Sequence, residues 1–341
     1  MKKIIVIKLG TSSITNDEDG SLHIDRLVKI GQEIAFLMND YRVLLVSSGA
    51  VGTGKRFLKN YKGTINDKKA AAAVGNPILM DNYRQIFEKH NIVVAQCLFE
   101  RHHFSERKPF LQLKETIETL WKSDVLPIAN DNDVVNDLEL RFSDNDELAA
   151  LLSISFDAEK LMIGSSVDGL LDKDNKLIKE IQKIDEVILS MANKNTSKSG
   201  LGGMISKLNF TKLATSMGVE VTIFNAKKEN YLTKALNKET GTHFYAQPSK
   251  HTSRQRWIAA GGIVCGKILV DEGAENAIKN RKSLLAVGVS KVLHPFEKEE
   301  IFEIINTKDE LIALGIAKIK SSEISQTQQL EIANANDIVV F

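Results

Sequence analysis

Ile4-Ile5-Val6-Ile7-Lys8-Leu9-Gly10-Thr11-Ser12 is the stretch whose reading decides the fold. Four successive β-branched residues favour an extended chain, and an unbroken apolar run of this length reads as a strand buried on both faces. Gly10 ends it. A strand covered on both sides needs helices above and below the sheet, and the following residues supply them. Leu27, Ile30, Ile34, Leu37 and Met38 recur at helical spacing, and Val43–Ser47 is a second strand. Further strands are predicted at Val93–Leu98, Val125–Ala129, Leu161–Ile163 and Val219–Phe224. Between them lie a helix opened by Pro77 and running towards His90, one marked by Leu113, Ile117, Leu120 and Trp121, one after Asp144, and one over Gly203–Met217. Gly169–Ile178 reads as an inserted β-hairpin. Alternation of this kind predicts the α/β class: a three-layer αβα sandwich around a mainly parallel sheet.

After Phe244 the texture changes. Residues 251–265 read as a linker, and 266–341 as a small, mostly β domain built on Lys267–Val270, Glu300–Ile305 and Ile338–Phe341, with a short helical pattern near Glu275–Asn280. The α/β domain is assigned to residues 1–250.

The whole chain has 341 residues, 43% hydrophobic and 26% charged, with a net charge of +1. This balance suits a globular protein and gives no general attraction to nucleic acid or an anionic membrane. Lys8 cuts the first apolar run too short for a signal peptide, and no stretch approaches the ~20 apolar residues of a membrane span. Cys97 and Cys265 lie far apart among apolar neighbours and read as two buried thiols. The expected location is the cytoplasm.

Four loops carry the candidate chemistry. Gly49-Ala50-Val51-Gly52-Thr53-Gly54-Lys55 has the spacing of a phosphate-binding P-loop, but Arg56 stands where a Mg²⁺-binding Ser or Thr is needed, so Gly52 and Gly54 read as loop flexibility. Lys8, in a buried strand, calls for an anion, and Gly10 lets backbone approach a ligand. Ser47-Ser48-Gly49-Ala50 places small residues and exposed N–H groups at a helix entrance. Asn130-Asp131-Asn132-Asp133 and Ser143-Asp144-Asn145-Asp146, with Arg141 between them, gather amides and carboxylates around the start of an apolar helix. Either Ser143 or Asp144 can cap that helix, which accounts for one residue of the cluster. Ser199-Gly200-Leu201-Gly202-Gly203-Met204-Ile205-Ser206-Lys207 is a glycine-rich turn entering a helix, with Lys207 near the positive end of its dipole. Lys8 and Lys207 together are expected to converge on a phosphoryl group. His102-His103 has no ligand-spaced partner, and no protein-held metal site is expected.

These residues resemble the amino acid kinase family. The likeness runs through VIKLGTSSIT (6–15), LLVSSGAVGTG (44–54), LPIANDNDVV (126–135), FSDNDELAALLS (142–153) and GLGGMISK (200–207), then RQRWIAAGG (254–262) and KILVDEGA (267–274). It covers essentially the whole chain and points to the glutamate-phosphorylating members, with residues 266–341 similar to a PUA domain. The resemblance implies transfer of the ATP γ-phosphoryl group to the γ-carboxylate of L-glutamate, with Mg²⁺ carried largely by the phosphates and water. It also implies a role as the first step of proline biosynthesis, proline as a feedback inhibitor, hand-off to a γ-glutamyl phosphate reductase, and a homodimer or homotetramer.

Residue by residue, the resemblance makes Lys8, Lys207 and Asp146 catalytic: two phosphate-contacting lysines and the carboxylate that orients them. Ser48, Gly49, Asn130, Asp133 and Asn145 become the acceptor site. Lys8, Gly10, Ser165, Ser166, Leu201, Gly202, Gly203, Met204 and Lys207 become the nucleotide site. Two departures fall on the nucleotide side: Ser165-Ser166 replaces the family's Thr-Asp, and Leu201 replaces a hydroxyl with an isobutyl group.

Two other readings stay open at this level. One is a family member acting on a different acidic small molecule, or a weakly active regulatory homologue. The other is an RNA-binding protein, which the nine Lys or Arg against twelve Asp or Glu over residues 266–341 disfavour.

Overall fold

A computed structural model describes residues 2–16, 19–105, 107–135, 142–192, 203–228, 230–248, 252, 255–256, 258–259, 264–324 and 330–340. The chain forms two compact units, Met1–Arg101 with Leu111–Pro248, and His102–Phe110 with Ser249–Phe341.

In the first unit eight strands form one sheet: β1 (Lys3–Leu9), β2 (Tyr41–Ser47), β3 (Val94–Phe99), β4 (Leu126–Asp131), β5 (Lys160–Ser165), β6 (Glu180–Ile181), β7 (Glu220–Asn225) and β8 (Thr242–Phe244). Their order is β3-β4-β2-β1-β5-β7-β8-β6. Every described pairing is parallel except that of β7 with β8. The chain leaves β1 for β2 on one side and returns to β5 on the other. Beside β1, the carboxyl ends of the strands therefore frame the crevice in which open α/β sheets bind ligands.

The helices are α1 (Thr11–Ile14), α2 (Ile24–Leu37), α3 (Ala50–Lys55), α4 (Ile65–Glu88), α5 (His102–Ser105), α6 (Arg107–Lys122), α7 (Asn145–Ser155), α8 (Glu186–Ala192), α9 (Met204–Ser216) and α10 (Tyr231–Leu236). Ile5, Ile7 and Leu9 of β1 pack with Leu27, Ile30 and Ile34 of α2 and Leu79, Tyr83 and Phe87 of α4. The two-residue period of a strand sends Lys8 to the opposite face. There α7 lies across β1, β2, β4 and β5, with every residue from Asp146 to Ser155 buried. A helix enclosed on all sides shows no polar stripe, which is why Leu148–Leu152 is apolar throughout.

Three expectations need correction. Pro77 does not open its helix: α4 starts at Ile65, where Thr64 and Asp67 form a reciprocal capping box. Pro77 sits inside it and deprives the Ala73 carbonyl of a donor. Gly54 is not a loop residue but lies in α3, which crosses α4 in backbone contact. A Cβ on Gly54 would fall 1.9 Å from the Ala71 carbonyl oxygen, and one on Gly75 would fall 1.8 Å from that of Ala50. Cys265 is exposed and Cys97 half-buried, and neither is in a disulfide; Cys265 is the second residue of a strand whose first two residues face solvent.

The second unit is built on β9 (Val264–Val270), β10 (Leu284–Leu285), β11 (Val289–His294), β12 (Ile301–Ile305), β13 (Leu311–Ile316), β14 (Glu331–Ala333) and β15 (Ile338–Val340), with α11 (Glu272–Lys279), capped by Asp271, packed among them. Five of the strands form a sheet ordered β11-β9-β12-β13-β15. Its core joins Ile268, Ile278, Ile304 and Ile332 to Phe296 and Phe302, whose rings stack at 4.5 Å. Within the stretch expected as a linker, Gln255, Arg256, Ile258 and Ala259 are helical and Ile258 is fully buried. Among the described residues no helix is long and apolar enough to cross a membrane.

Candidate active site

Because β1, β2, β4, β5 and β7 run parallel, their carboxyl ends deliver the sequence-predicted residues to one edge of the sheet. Lys8 comes from the end of β1, Ser48 and Gly49 follow β2, Asn130 is the next-to-last residue of β4, and Ser165 closes β5. α7 and α9 enter this edge by their amino termini, bringing Asn145, Asp146 and Lys207.

The centre is an ionic triad. Lys8 Nζ lies 2.6 Å from Asp146 Oδ1, and Lys207 Nζ lies 2.9 Å from Asp146 Oδ2. All three are buried, with exposures of 6%, 1% and 8% for Lys8, Asp146 and Lys207. Burying charge is costly, and here two ammonium groups meet on one carboxylate with the Asp144 carboxylate beside them, so an anion arriving between the lysines would meet two cations at once. Burial by itself would raise the pKa of Asp146. The Lys8 and Lys207 charges outweigh it and hold the carboxyl below its ordinary value. Gly10 borders the triad: a Cβ there would stand 3.3 Å from Lys8 Nζ, and the amide of Gly10 donates to the Gly164 carbonyl at 3.4 Å.

Asp144 caps α7. Its Oδ1 accepts the Asp146 and Glu147 amides at 2.9 and 3.1 Å, while its Oδ2 accepts the Ser206 hydroxyl at 3.1 Å. The first turns of α7 and α9 are therefore joined twice, through Ser206–Asp144 and Lys207–Asp146. Burial, followed by the neighbouring Asp146 charge, raises the Asp144 pKa.

Beside the triad lies a chain of amides. Asn145 Nδ2 donates to Ser48 Oγ and to Asn130 Oδ1, both at 2.9 Å, and Asn130 Nδ2 donates to Asn76 Oδ1 at 3.3 Å. The Asn145 Oδ1 atom is buried without a hydrogen-bond partner. An unmet buried acceptor beside two ammonium groups suits a ligand with both an N–H donor and an anionic group. Gly49 opens α3 at φ 108°, a backbone conformation that favours glycine, and a Cβ there would push Ile14 Cδ1, 2.9 Å away, aside.

The structure thus brings together Lys8, Gly10, Ser48, Gly49, Asn130, Asn145, Asp146 and Lys207. Asp133 lies half-buried in the turn leaving β4. Ser165 is buried where β5 ends, its carbonyl accepting the Ala226 amide at 2.9 Å, and Ser166 is exposed. Gly203 caps α9 with open space where a side chain would go, and Met204 begins the helix half-buried. Leu201, Gly202 and Arg141 fall outside the described residues. Asn76, Ser206, Arg101 and Glu147 were not singled out from sequence. Asn76 adjoins Pro77, and taking the proline as a helix start hid its place in mid-helix.

The described carboxylates at the triad are already committed, Asp146 to lysines and Asp144 to N–H and O–H donors. No group of three or more His, Cys, Asp or Glu among the described residues is arranged to hold a metal. The donor set fits a metal that arrives with phosphates better than one caged by protein. A separate hollow of about 290 Å³, lined by Lys2, Tyr41, Arg42 and Trp121, lies at the opposite, amino-terminal edge of the strands, away from all these groups.

Residues 3–225 match the amino acid kinase family and residues 266–338 the PUA domain. A glutamate 5-kinase of Thermoanaerobacter sp. (strain X514) is 35% identical over 333 residues, 94% of this chain and 89% of that protein. Another, from Caldanaerobacter subterraneus subsp. tengcongensis, is 34% identical over 348 residues, 99% of this chain and 93% of its own. Among solved structures, carbamate kinase from Giardia lamblia bound to AMP-PNP covers 72% of this chain and 99% of its own at a TM-score of 0.54 and 19% identity. Isopentenyl phosphate kinase covers 71% and 99% at 0.51 and 20%. At those identities the two structures share the fold alone, whereas the glutamate 5-kinases align along nearly the full length. The chain belongs to the amino acid kinase family and, within it, to the group of the glutamate 5-kinases.

Proposed function

We propose that this protein transfers the γ-phosphoryl group of ATP to the γ-carboxylate of L-glutamate, releasing ADP and γ-glutamyl phosphate, as the names of its relatives suggest. One observation carries the reading: two lysines almost 200 residues apart meet on a single buried carboxylate, next to a cluster of three amides. A glutamate carboxylate is ionised and nucleophilic at neutral pH, so the reaction requires no general base. A carboxylate oxygen attacks the γ-phosphorus, its new O–P bond forms, and the bond to the β,γ-bridging oxygen breaks in line. The protein's contribution is then positioning and charge stabilisation.

In this scheme Lys8 and Lys207 balance charge gathering on the transferring oxygens, and Asp146 keeps the two ammonium groups apart and aimed. Asn145 Oδ1 takes a donor from the glutamate α-ammonium, while Ser48 and Asn130 hold the Asn145 amide in place. Gly10, Ser165, Ser166 and the 201–204 turn line the nucleotide. Mg²⁺ enters as part of the MgATP substrate, where it neutralises phosphate charge. Proline as a feedback inhibitor, hand-off to a reductase, a cytoplasmic location and a homodimer or homotetramer complete the proposal.

The test is ADP release by the purified chain with MgATP and each of glutamate, aspartate, carbamate and UMP, with hydroxylamine present to trap an acyl phosphate. Glutamate-dependent ADP release with hydroxamate formation is expected. Turnover with another acceptor and none with glutamate would overturn the assignment.

A further inference from the structure

Glu147 is a buried carboxylate to which phosphoryl transfer gives no task. It follows Asp146 in the first turn of α7 and is only 4% exposed. Its oxygens are divided between two partners: Oε1 pairs with the Arg101 guanidinium, and Oε2 accepts the Ser143 amide at 2.8 Å. A charge in such a place persists only where pairing and hydrogen bonds offset its desolvation. Arg101 is itself half-buried, which pushes its pKa down, yet a guanidinium stays charged at any ordinary pH.

Arg101 is the last residue of the turn leaving β3, and the two residues before it hold the other flank of the amide pocket. The carbonyl of Phe99 accepts the Asn132 amide at 2.8 Å, and Glu100 Oε1 accepts Asn132 Nδ2 at 2.9 Å. The turn is anchored by strand pairing, with Leu98 opposite Asn130 and Phe99 opposite Asp131. The end of β3 and the two residues after it thus grip Asn132, between Asn130 and Asp133, and through Glu147 grip Ser143, two residues before Asn145.

We infer that Phe99–Arg101 is a clamp fixing the distance between the Asn130 and Asn145 sides of the acceptor pocket, with Arg101 and Glu147 as positioning residues. The inference rests on the glutamate reading of that pocket. The phosphate side has its own fastenings, Lys207–Asp146 and Ser206–Asp144. Loosening the clamp therefore weakens the acceptor's hold and spares the nucleotide's.

Steady-state kinetics of Arg101→Met, Arg101→Lys and Glu147→Gln test this. Glu147→Gln keeps an acceptor for the Ser143 amide but strips Arg101 of its counter-charge. Contact pairs of this kind couple strongly enough for the glutamate KM to rise about tenfold in Arg101→Met and Glu147→Gln, with the ATP KM changing less than about twofold. Arg101→Lys restores part of the loss. Hydrogen exchange of the same variants adds a readout independent of turnover: the amides of residues 143–147 exchange faster in Arg101→Met than in the wild type. Should Arg101→Met not fold, the near-isosteric Glu147→Gln decides both measurements. An unchanged glutamate KM, equal rises in both KM values, or unchanged exchange over 143–147 would overturn the clamp. A wild-type chain inactive on glutamate rejects the functional reading instead, and the exchange result then decides the clamp alone.

Discussion

A lysine inside a β-strand is costly unless its ammonium meets a counter-charge, and Lys8 meets one 2.6 Å away that it shares with Lys207. Sharing makes the three groups act as a unit. On the proposed mechanism, replacing either lysine by alanine removes one of the two charges that would balance the transferring phosphoryl group, and it leaves Asp146 paired with a single lysine. We expect Lys8→Ala and Lys207→Ala each to lower kcat by about 10²-fold or more, the scale on which single stabilising donors act. Asn145→Ala is instead expected to raise the glutamate KM, because the proposed mechanism gives its unpartnered Oδ1 to the acceptor. A kcat unchanged in both lysine variants would remove the triad from the mechanism. The lysines and the amides were legible in the sequence because each breaks a local rule: a cation in an apolar strand, or polar residues crowded before an apolar helix. Asn76, Ser206, Arg101 and Glu147 break none. A surface-type residue at a helix start or strand exit looks ordinary until the fold shows that Arg101 meets a residue 46 positions away.

Elements place these side chains, and the α3–α4 crossing shows how tightly. Gly54 and Gly75 bring two backbones to a separation that leaves no room for a methyl group: each Cβ would fall under 2 Å from a carbonyl oxygen of the facing helix. Main chain cannot rotate aside as a side chain can, so the helices must separate. Gly75→Ala is expected to destabilise the protein by about 3 kcal/mol, the upper range for overpacking. That lowers the thermal midpoint by about 6–12 °C. Because Asn76 follows Gly75 and supports Asn130, the same variant should also raise the glutamate KM. A melting curve within about 2 °C of the wild type would show that the crossing relaxes freely. Glycine in the GAVGTGK stretch was visible from sequence, but its meaning was not. Glycines that admit a phosphate and glycines that admit another helix look alike, and only the partner's position separates them. The strands were legible because burial on both faces makes them uniformly apolar; the mid-helix proline was not, because a proline marks helix starts far more often than interiors.

At the scale of the whole molecule, each unit carries its own core, and their surfaces differ in what they can bind. The sequence change after Phe244 was legible because helical periodicity ends there, but the strands Val289–His294 and Leu311–Ile316 escaped notice. The first alternates weakly among exposed residues, and the second is a short apolar run that fits a helix equally well. Small β domains of the PUA type raise the question of RNA, and charge answers it. Residues 266–341 carry nine cationic against twelve anionic side chains. Four of the nine cations are paired: Lys267 with Glu303, Lys279 with Glu275, Lys318 with Glu331, and Lys320 with Glu297. Backbone phosphate binding draws its energy from releasing counterions through a cluster of cations on one face. A lysine already held by a carboxylate releases fewer, and it must break its pair to do so. Filter binding of the full chain to single-stranded and duplex RNA is therefore expected to show only association weaker than about 10⁻⁴ M at 150 mM salt, the weak end of non-specific binding. Between 50 and 200 mM salt the affinity should change little. Binding tighter than about 1 µM that falls steeply with salt would mean that these ion pairs open to make a basic face, and the C-terminal unit would then be a nucleic-acid reader in its own right.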